Sequence, residues 1–113
     1  MITQTLKIFP LSGNKAWQGK RFKTPLYKKY EKECLLMLKK QKLPEPPYTI
    51  IYEFGFSNNA SDIDNPTKPF TDILSKKFGF NDKHVKRMIL EKVIVPKGKE
   101  YVKFSILTYE AVH

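Results

Sequence analysis

The sequence predicts one α+β domain, residues 1–113, in the order β-α-β-α-β-β, with two helices and a mixed sheet of about four strands. The first observation is length: 113 residues, 41% of them hydrophobic, suffice for one modest core but not for two. The second is that four segments have the alternation or the β-branched and aromatic content of strands. The third is that two other segments combine a helix-start signal with apolar residues three and four positions apart.

The first half of the chain is expected to form a strand, a loop and a helix. Residues 2–9 alternate loosely between apolar and polar types, which indicates a strand. Residues 10–23 contain Ser, Gly, Asn and several basic residues, which indicates a loop. Thr24 and Pro25 then supply an N-cap and a first helical residue. Apolar residues follow at helical spacing beneath a basic outer face, and the helix is expected to end at Pro44, Pro46 and Pro47.

The second half is expected to add a strand, a helix and two further strands. Residues 48–56 place aromatic side chains alternately on one face, which predicts a central strand. Asn65 and Pro66 begin the second helix, and Gly79 ends it. Residues 84–95 and 101–109 are predicted strands, and the Pro- and Gly-containing connection between them indicates a hairpin.

The composition excludes several classes of protein. No apolar run approaches the roughly 20 residues that a membrane span needs, and the N-terminus lacks the layout of a signal peptide. The single cysteine, Cys34, rules out an internal disulfide framework and a cysteine-rich zinc site. We therefore expect a soluble cytoplasmic protein that does not contact a membrane.

The charge of the chain points to a polyanionic partner. The formal net charge is +10, and Lys and Arg bind nucleic acids by displacing the counterions that condense on phosphates. Residues 15–42 carry ten Lys or Arg against two Glu, whereas residues 43–75 carry five acidic residues against one Lys. The middle of the sequence is thus an acidic segment in a basic protein, although solvated charges that are merely scattered unevenly would give the same totals.

The four aspartates all lie between positions 62 and 82, whereas the seven glutamates are spread over the chain. Asp62 and Asp64 are two residues apart after a strand, so in extended backbone they point to the same side. Asp82 follows the second helix, which is expected to return the chain toward the end of that strand. Three carboxylates brought together in this way suit Mg²⁺, a hard cation that prefers oxygen ligands. Lys68, in the first turn of the helix, could stabilise negative charge on a phosphate.

These residues carry a family resemblance. Residues 62–68 read Asp-Ile-Asp-Asn-Pro-Thr-Lys, and Asp72 and Asn81-Asp82 follow. Together with Pro-Leu-Ser-Gly-Asn at residues 10–14, they resemble the signature of the RusA family of crossover-junction endodeoxyribonucleases, along nearly the whole chain. The resemblance implies a Mg²⁺-dependent nuclease, with Mn²⁺ as a substitute, that works as a homodimer in DNA recombination and repair. Its substrate would be the four-way Holliday junction, nicked symmetrically in two strands, and its origin would be a prophage or other mobile element.

The resemblance also assigns roles to individual residues. It implies metal binding by Asp62, Asp64 and Asp82 and catalytic assistance by Lys68. Asn65 is expected to orient these groups, and Asp72 either to orient them or to form a salt bridge with Lys68 or Lys76. Two departures from the family pattern concern the stretch Asn58–Ser61, where relatives have a basic residue, and Asn81, which stands where a second acid would strengthen the metal site.

Basic and aromatic residues in two segments are candidates for contact with DNA. Bases would bind phosphates and Trp17 would stack on an unpaired base; equally, Trp17 could belong to the core, and the bases could be solvated. The candidate residues are Asn14, Lys15, Trp17, Lys20, Arg21 and Lys23 in the first loop and Lys83 and Lys86 after the second helix. The rival classes are a non-catalytic basic DNA-binding module, and a structural or regulatory protein of a mobile element that contacts another protein through its basic helix.

Overall fold

The computed structural model describes residues 1–18 and 22–110, with only the backbone of Gln18. The predicted order of the principal elements, the α+β class and the four-stranded mixed sheet are confirmed. The segment predicted as a loop instead contains a four-residue third helix and a two-stranded ribbon. The elements are β1 (Ile2–Leu6), α1 (Gly13–Ala16), β2 (Trp17–Gln18), β3 (Phe22–Lys23), α2 (Pro25–Met37), β4 (Tyr48–Phe56), α3 (Thr67–Phe78), a 3₁₀ turn (Asp82–His84), β5 (Val85–Ile94) and β6 (Tyr101–Thr108).

The main sheet has the strand order β1-β6-β4-β5. β4 is parallel to β5 and antiparallel to β6, and β1 is antiparallel to β6. The predicted hairpin between the last two strands is therefore wrong, because β4 lies between them. The connection crosses the end of β4, where the Val95 amide donates to the Phe56 carbonyl at 2.7 Å. Gly55 is needed at this crossing, since a Cβ atom there would lie 2.5 Å from the ring of Tyr101.

The helix ends are set partly by local signals and partly by tertiary contacts. Thr24 caps α2 as predicted, its hydroxyl accepting from the Tyr27 amide at 3.1 Å. The helix stops at Met37 rather than at the prolines, because the chain becomes extended at Leu38 and the side chain of Gln4 bonds both backbone groups of Lys39. Gly79 ends α3 as predicted, in the left-handed conformation with φ 75°.

The hydrophobic core lies between one face of the main sheet and the helices α2 and α3. Tyr52 of β4, Phe70 of α3 and Phe104 of β6 are fully buried in it. The rings of Tyr52 and Phe70 are 6.0 Å apart, so α3 begins beside the middle of β4. Within residues 1–18 and 22–110, no helix has the length and apolar character required to cross a membrane.

Candidate active site

The candidate site is built on the turn that joins β4 to α3. Its first part is held by Lys92 of β5, whose ammonium donates to the carbonyls of Asn59 at 3.0 Å and Ser61 at 2.5 Å. The cation also lies 5.8 Å from the centre of the Phe56 ring. Asp62, the first of the predicted metal ligands, follows directly and is exposed. A lysine on the neighbouring strand thus fixes the backbone that leads into the aspartates.

The second part of the turn is held by its own backbone and by α1. The amide of Asn65 donates to the carbonyl of Asp62 at 3.3 Å, and the amide of Thr67 donates to that of Asp64 at 3.1 Å. The Asn65 carbonyl accepts from the Gly13 amide at 2.8 Å, and a Cβ atom on Gly13 would approach that oxygen to 3.2 Å. The two segments that carry the family resemblance therefore meet through a backbone hydrogen bond, although they are about 50 residues apart in sequence.

Lys68 forms hydrogen bonds with two of the four aspartates. Its ammonium donates to Asp72 Oδ1 at 2.9 Å and to Asp82 Oδ2 at 3.4 Å. Asp72 is one helical turn after Lys68 on the same face of α3, and Asn81 orients the Asp82 turn by accepting from the Lys83 amide at 3.0 Å. The hydrogen bond to Asp72 raises the pKa of Lys68 above its usual value. The ammonium therefore stays protonated throughout the neutral range.

Asp82 reaches Lys68 by a different path from the one expected. In the parallel pair of β4 and β5, Val85 stands opposite Tyr48, so α3 returns the chain toward the start of β4 and not toward its end. The expectation of a return to the strand end is wrong, because a parallel pair requires the crossover to run back along the full strand. Asp82 nevertheless contacts Lys68, because the turn after Phe56 already leads the chain back along β4, so that α3 begins beside Tyr52 in the middle of that strand.

The donor groups fit the chemistry of Mg²⁺, but their placement does not form a three-carboxylate site. Asp62 and Asp64 are exposed, and Asp72 and Asp82 share the ammonium of Lys68. Among the described residues, no group of three His, Cys, Asp or Glu side chains is placed to hold a metal ion. Joint metal binding by Asp62, Asp64 and Asp82 stays a prediction. Of the two roles expected of Asp72, the structure shows the salt bridge with Lys68.

Two buried tyrosines, one in α2 and one in β4, form hydrogen bonds with the N-terminal part of α3. The hydroxyls of Tyr52 and Thr71 are 2.6 Å apart, and the Tyr27 hydroxyl donates to the Pro69 carbonyl at 3.1 Å. Burial, and then the charge of nearby acids that include Asp72, raises the pKa of both tyrosines, so both hydroxyls are neutral hydrogen-bonding groups. Sequence reasoning missed the roles of Tyr27, Tyr52 and Lys92, because a hydrogen bond to a distant partner leaves no pattern in sequence.

The candidate DNA-binding residues do not form one uniform group. Trp17 is half-buried and meets the Tyr27 ring edge-on at 5.1 Å, which supports its interpretation as core. Lys23 forms a salt bridge with Glu31 at 2.8 Å, and its ammonium lies over the Tyr27 ring. Lys86 is exposed, 5.4 Å from the centre of the Tyr109 ring. The remaining candidates divide into three that are exposed, Asn14, Lys15 and Lys83, and two that lie outside the described residues, Lys20 and Arg21.

No protein-family model and no curated protein matches this chain. The resemblance to the RusA family therefore rests on the residues of the two motifs. Their meeting at Gly13 and Asn65 is a structural observation that is independent of any comparison.

Proposed function

We propose that this protein is a RusA-type, Mg²⁺-dependent, structure-specific endodeoxyribonuclease that resolves Holliday junctions in DNA recombination and repair. It would act as a homodimer, because two symmetric nicks require two sites related by a two-fold axis. The observation that carries the proposal is the ammonium of Lys68, bonded to Asp72 and Asp82 next to the turn with Asp62 and Asp64. All four aspartates of a protein of net charge +10 thus belong to α3 and its two flanking turns.

Electrostatics supports a catalytic interpretation of this acidic region. Two carboxylates about 5 Å apart repel by roughly 3 kcal/mol at an effective dielectric constant of 20. The ammonium of Lys68 balances only one of the two carboxylates that it bonds, so the region keeps a net negative charge. A DNA-binding surface gains nothing from such a region unless a cation joins it. The basic remainder of the protein would attract the DNA backbone to either side.

The proposal assigns Mg²⁺, or Mn²⁺ as a substitute, to Asp62, Asp64 and Asp82. A divalent ion so held would polarise the phosphodiester and lower the pKa of a bound water. Lys68 would stabilise the negative charge that develops on the phosphate. Its side chain is 67% exposed and therefore accessible to a bound phosphate, and its ammonium is bonded to Asp72 at 2.9 Å. Asn65 fixes the turn through its backbone bonds to Asp62 and Gly13.

The decisive experiment is incubation with a labelled mobile four-way junction, with Mg²⁺ or with a chelator, followed by sizing of the strands. We expect paired symmetric nicks in Mg²⁺ and none in chelator. Asp64→Asn should abolish nicking, whereas Glu45→Gln, an exposed acid outside the site, should not. Nicking by Asp64→Asn at the wild-type rate in Mg²⁺ would refute the proposal.

The second candidate is a non-catalytic basic DNA-binding module of a mobile element. It is favoured by the pairing of Asp82 with Lys68 in place of a three-carboxylate group. This candidate predicts retention of four-way junctions or linear duplex in chelator, and no nicking by the wild-type protein in Mg²⁺ or Mn²⁺. The same junction assay, read by gel retardation as well as by strand sizing, separates the two functions.

A further inference from the structure

Lys92 is a cation that forms no salt bridge with another described residue. Its ammonium donates to the carbonyls of Asn59 at 3.0 Å and Ser61 at 2.5 Å, and it lies 5.8 Å from the centre of the Phe56 ring. Lys92 stands opposite the buried Phe54 in the parallel pair of β4 and β5, so its side chain leaves the sheet on the face that carries the core. The charge is therefore directed at backbone oxygens of the turn that joins β4 to α3.

This turn is joined to other elements on both sides of its aspartates. After them, the Asn65 carbonyl accepts from the Gly13 amide of α1 at 2.8 Å. Before them, Lys92 of β5 bonds two successive parts of the backbone. The side chain of Asn58 adds a bond inside the turn, accepting from the Ala60 amide at 3.0 Å. Lys92 thus connects the first part of the turn to the sheet.

The aspartates of the turn are placed by their backbone and not by packing. Asp62 follows Ser61 directly, and Asp62 and Asp64 are both exposed. Ordering a free segment costs conformational entropy at each of its residues. Because Lys92 already fixes the backbone at Ser61, a cation that binds Asp62 meets a turn that needs less further ordering.

We propose that Lys92 is a positioning residue, which fixes the turn between β4 and α3 and thereby raises the affinity of Asp62 and Asp64 for a divalent cation. The inference rests on the proposed function, which assigns the cation to these aspartates. Groups that hold metal ligands in place typically contribute about 10- to 100-fold to metal affinity.

The charge of Lys92 acts in the opposite direction to its hydrogen bonds. Like charges repel, so an ammonium near the aspartates disfavours a second cation there. If electrostatics dominated, loss of the ammonium would strengthen the binding of Mg²⁺. If positioning dominates, as we infer, the same loss weakens it. The sign of the change therefore distinguishes the two effects.

Amide hydrogen exchange of the full-length protein, without DNA and without divalent cations, tests the hold of Lys92 on the turn. Lys92→Met removes the donor and keeps a long apolar side chain. We expect the amides of Ala60 and Asn65, which donate within the turn, to exchange about tenfold faster or more in this variant. Lys92→Arg keeps the charge and the donors and should exchange at close to the wild-type rate. Lys92→Gln, whose polar end is one bond shorter, replaces Lys92→Met in every measurement if the latter shows no cooperative melting transition.

Calorimetric titration with Mg²⁺ gives the second readout, again without DNA. We expect Lys92→Met to bind the ion about 10- to 100-fold more weakly than the wild type and Lys92→Arg to bind it with nearly the wild-type affinity. Lys68→Met, which removes a cation bonded to Asp82 itself, should not weaken the binding. Two lysines of the same region are thus expected to act on the metal in different directions.

Lys77→Met is the matched control. Lys77 also donates to a distant backbone carbonyl, that of Leu35 at 3.2 Å, but from the last turn of α3. Its loss should lower the melting temperature by a similar amount and leave both the exchange of the turn and the affinity for Mg²⁺ unchanged. A purely structural role of Lys92 would change the melting temperature alone.

Unchanged exchange of the turn in Lys92→Met would overturn the inference, as would binding of Mg²⁺ by this variant as tightly as by the wild type or more tightly. An equal loss of affinity in Lys77→Met would overturn it too. Each of these results leaves the proposed function intact, provided that the wild type nicks junctions in Mg²⁺. A wild type that binds no Mg²⁺ would instead remove the proposed function, and this inference with it.

Discussion

Replacing Lys68 by methionine separates the stability of the protein from its proposed chemistry. The lysine side chain is 67% exposed, and its two partners are 27% and 46% exposed. Exposed ion pairs contribute about 0.2–1 kcal/mol each, so loss of both should cost roughly 0.4–2 kcal/mol of unfolding free energy. Loss of a donor that stabilises charge in a transition state costs about 100- to 1,000-fold in rate. We therefore expect a modestly lower melting temperature and a rate of junction nicking at least about 100-fold lower.

Lys76→Met is the matched control for this substitution. Lys76 lies on the same helix, its side chain is 59% exposed, and it forms one ion pair, with Glu31 at 3.3 Å. Its loss should cost a similar free energy but leave the nicking rate unchanged. Calorimetric titration with Mg²⁺ supplies a further readout: Lys68→Met should bind the ion at least as tightly as the wild type, because Asp82 loses a competing cation.

Lys68 has no catalytic role if Lys68→Met nicks at a rate comparable with the wild type in saturating Mg²⁺. A cooperative melting transition at a modestly lower temperature would show that this variant is folded. An equal loss of nicking in Lys76→Met would likewise remove any special role for Lys68, since both lysines would then act through the helix alone.

Two further substitutions test the scaffold of the site. Burial alone would raise the pKa of Glu31, but hydrogen bonds from Lys23 and Lys76 lower it, so its contribution to stability is present above the ordinary pKa of 4.5 and is lost as the pH falls through the lowered value. Glu31→Gln should therefore cost about 1 kcal/mol at neutral pH, and thermal unfolding at pH values descending through the acid range should show the difference from the wild type vanish. Gly55→Ala should destabilise by about 1–3 kcal/mol in denaturant unfolding, because the added methyl group meets the Tyr101 ring. A loss in Gly55→Ala that persists unchanged in a Tyr101→Ala background would contradict that cause.

Elements with a signal inside a few residues could be predicted from sequence. Thr24 caps α2, Gly79 ends α3 in the left-handed conformation, and the strand predicted at residues 48–56 is β4. Each depends on the backbone preference of one residue or on the period of a short segment. The position of Lys68 one turn before Asp72 follows in the same way from the helix period.

Features that depend on a distant partner could not be predicted. The end of α2 is set by Gln4, which bonds the backbone of Lys39 across 35 positions. Two other hydrogen bonds also join distant segments. The Gly13 amide donates to the Asn65 carbonyl, and the Lys92 ammonium donates to the carbonyl of Ser61, just before Asp62. Such contacts form because a buried or constrained backbone group needs a hydrogen-bond partner, and many residues of the chain could supply one.

The sequence by itself determined the class of the fold, the order of the principal elements, the basic charge and the concentration of aspartates in one segment. Only the tertiary structure decided which strands are neighbours and that Asp82 meets Lys68. The physical reason is that every strand offers the same backbone donors and acceptors along its edges, so pairing is chosen by the burial of the whole sheet. β4, with aromatic side chains covered by α2 and α3, takes the place between β5 and β6. The parallel crossover that follows brings Asp82 back to Lys68.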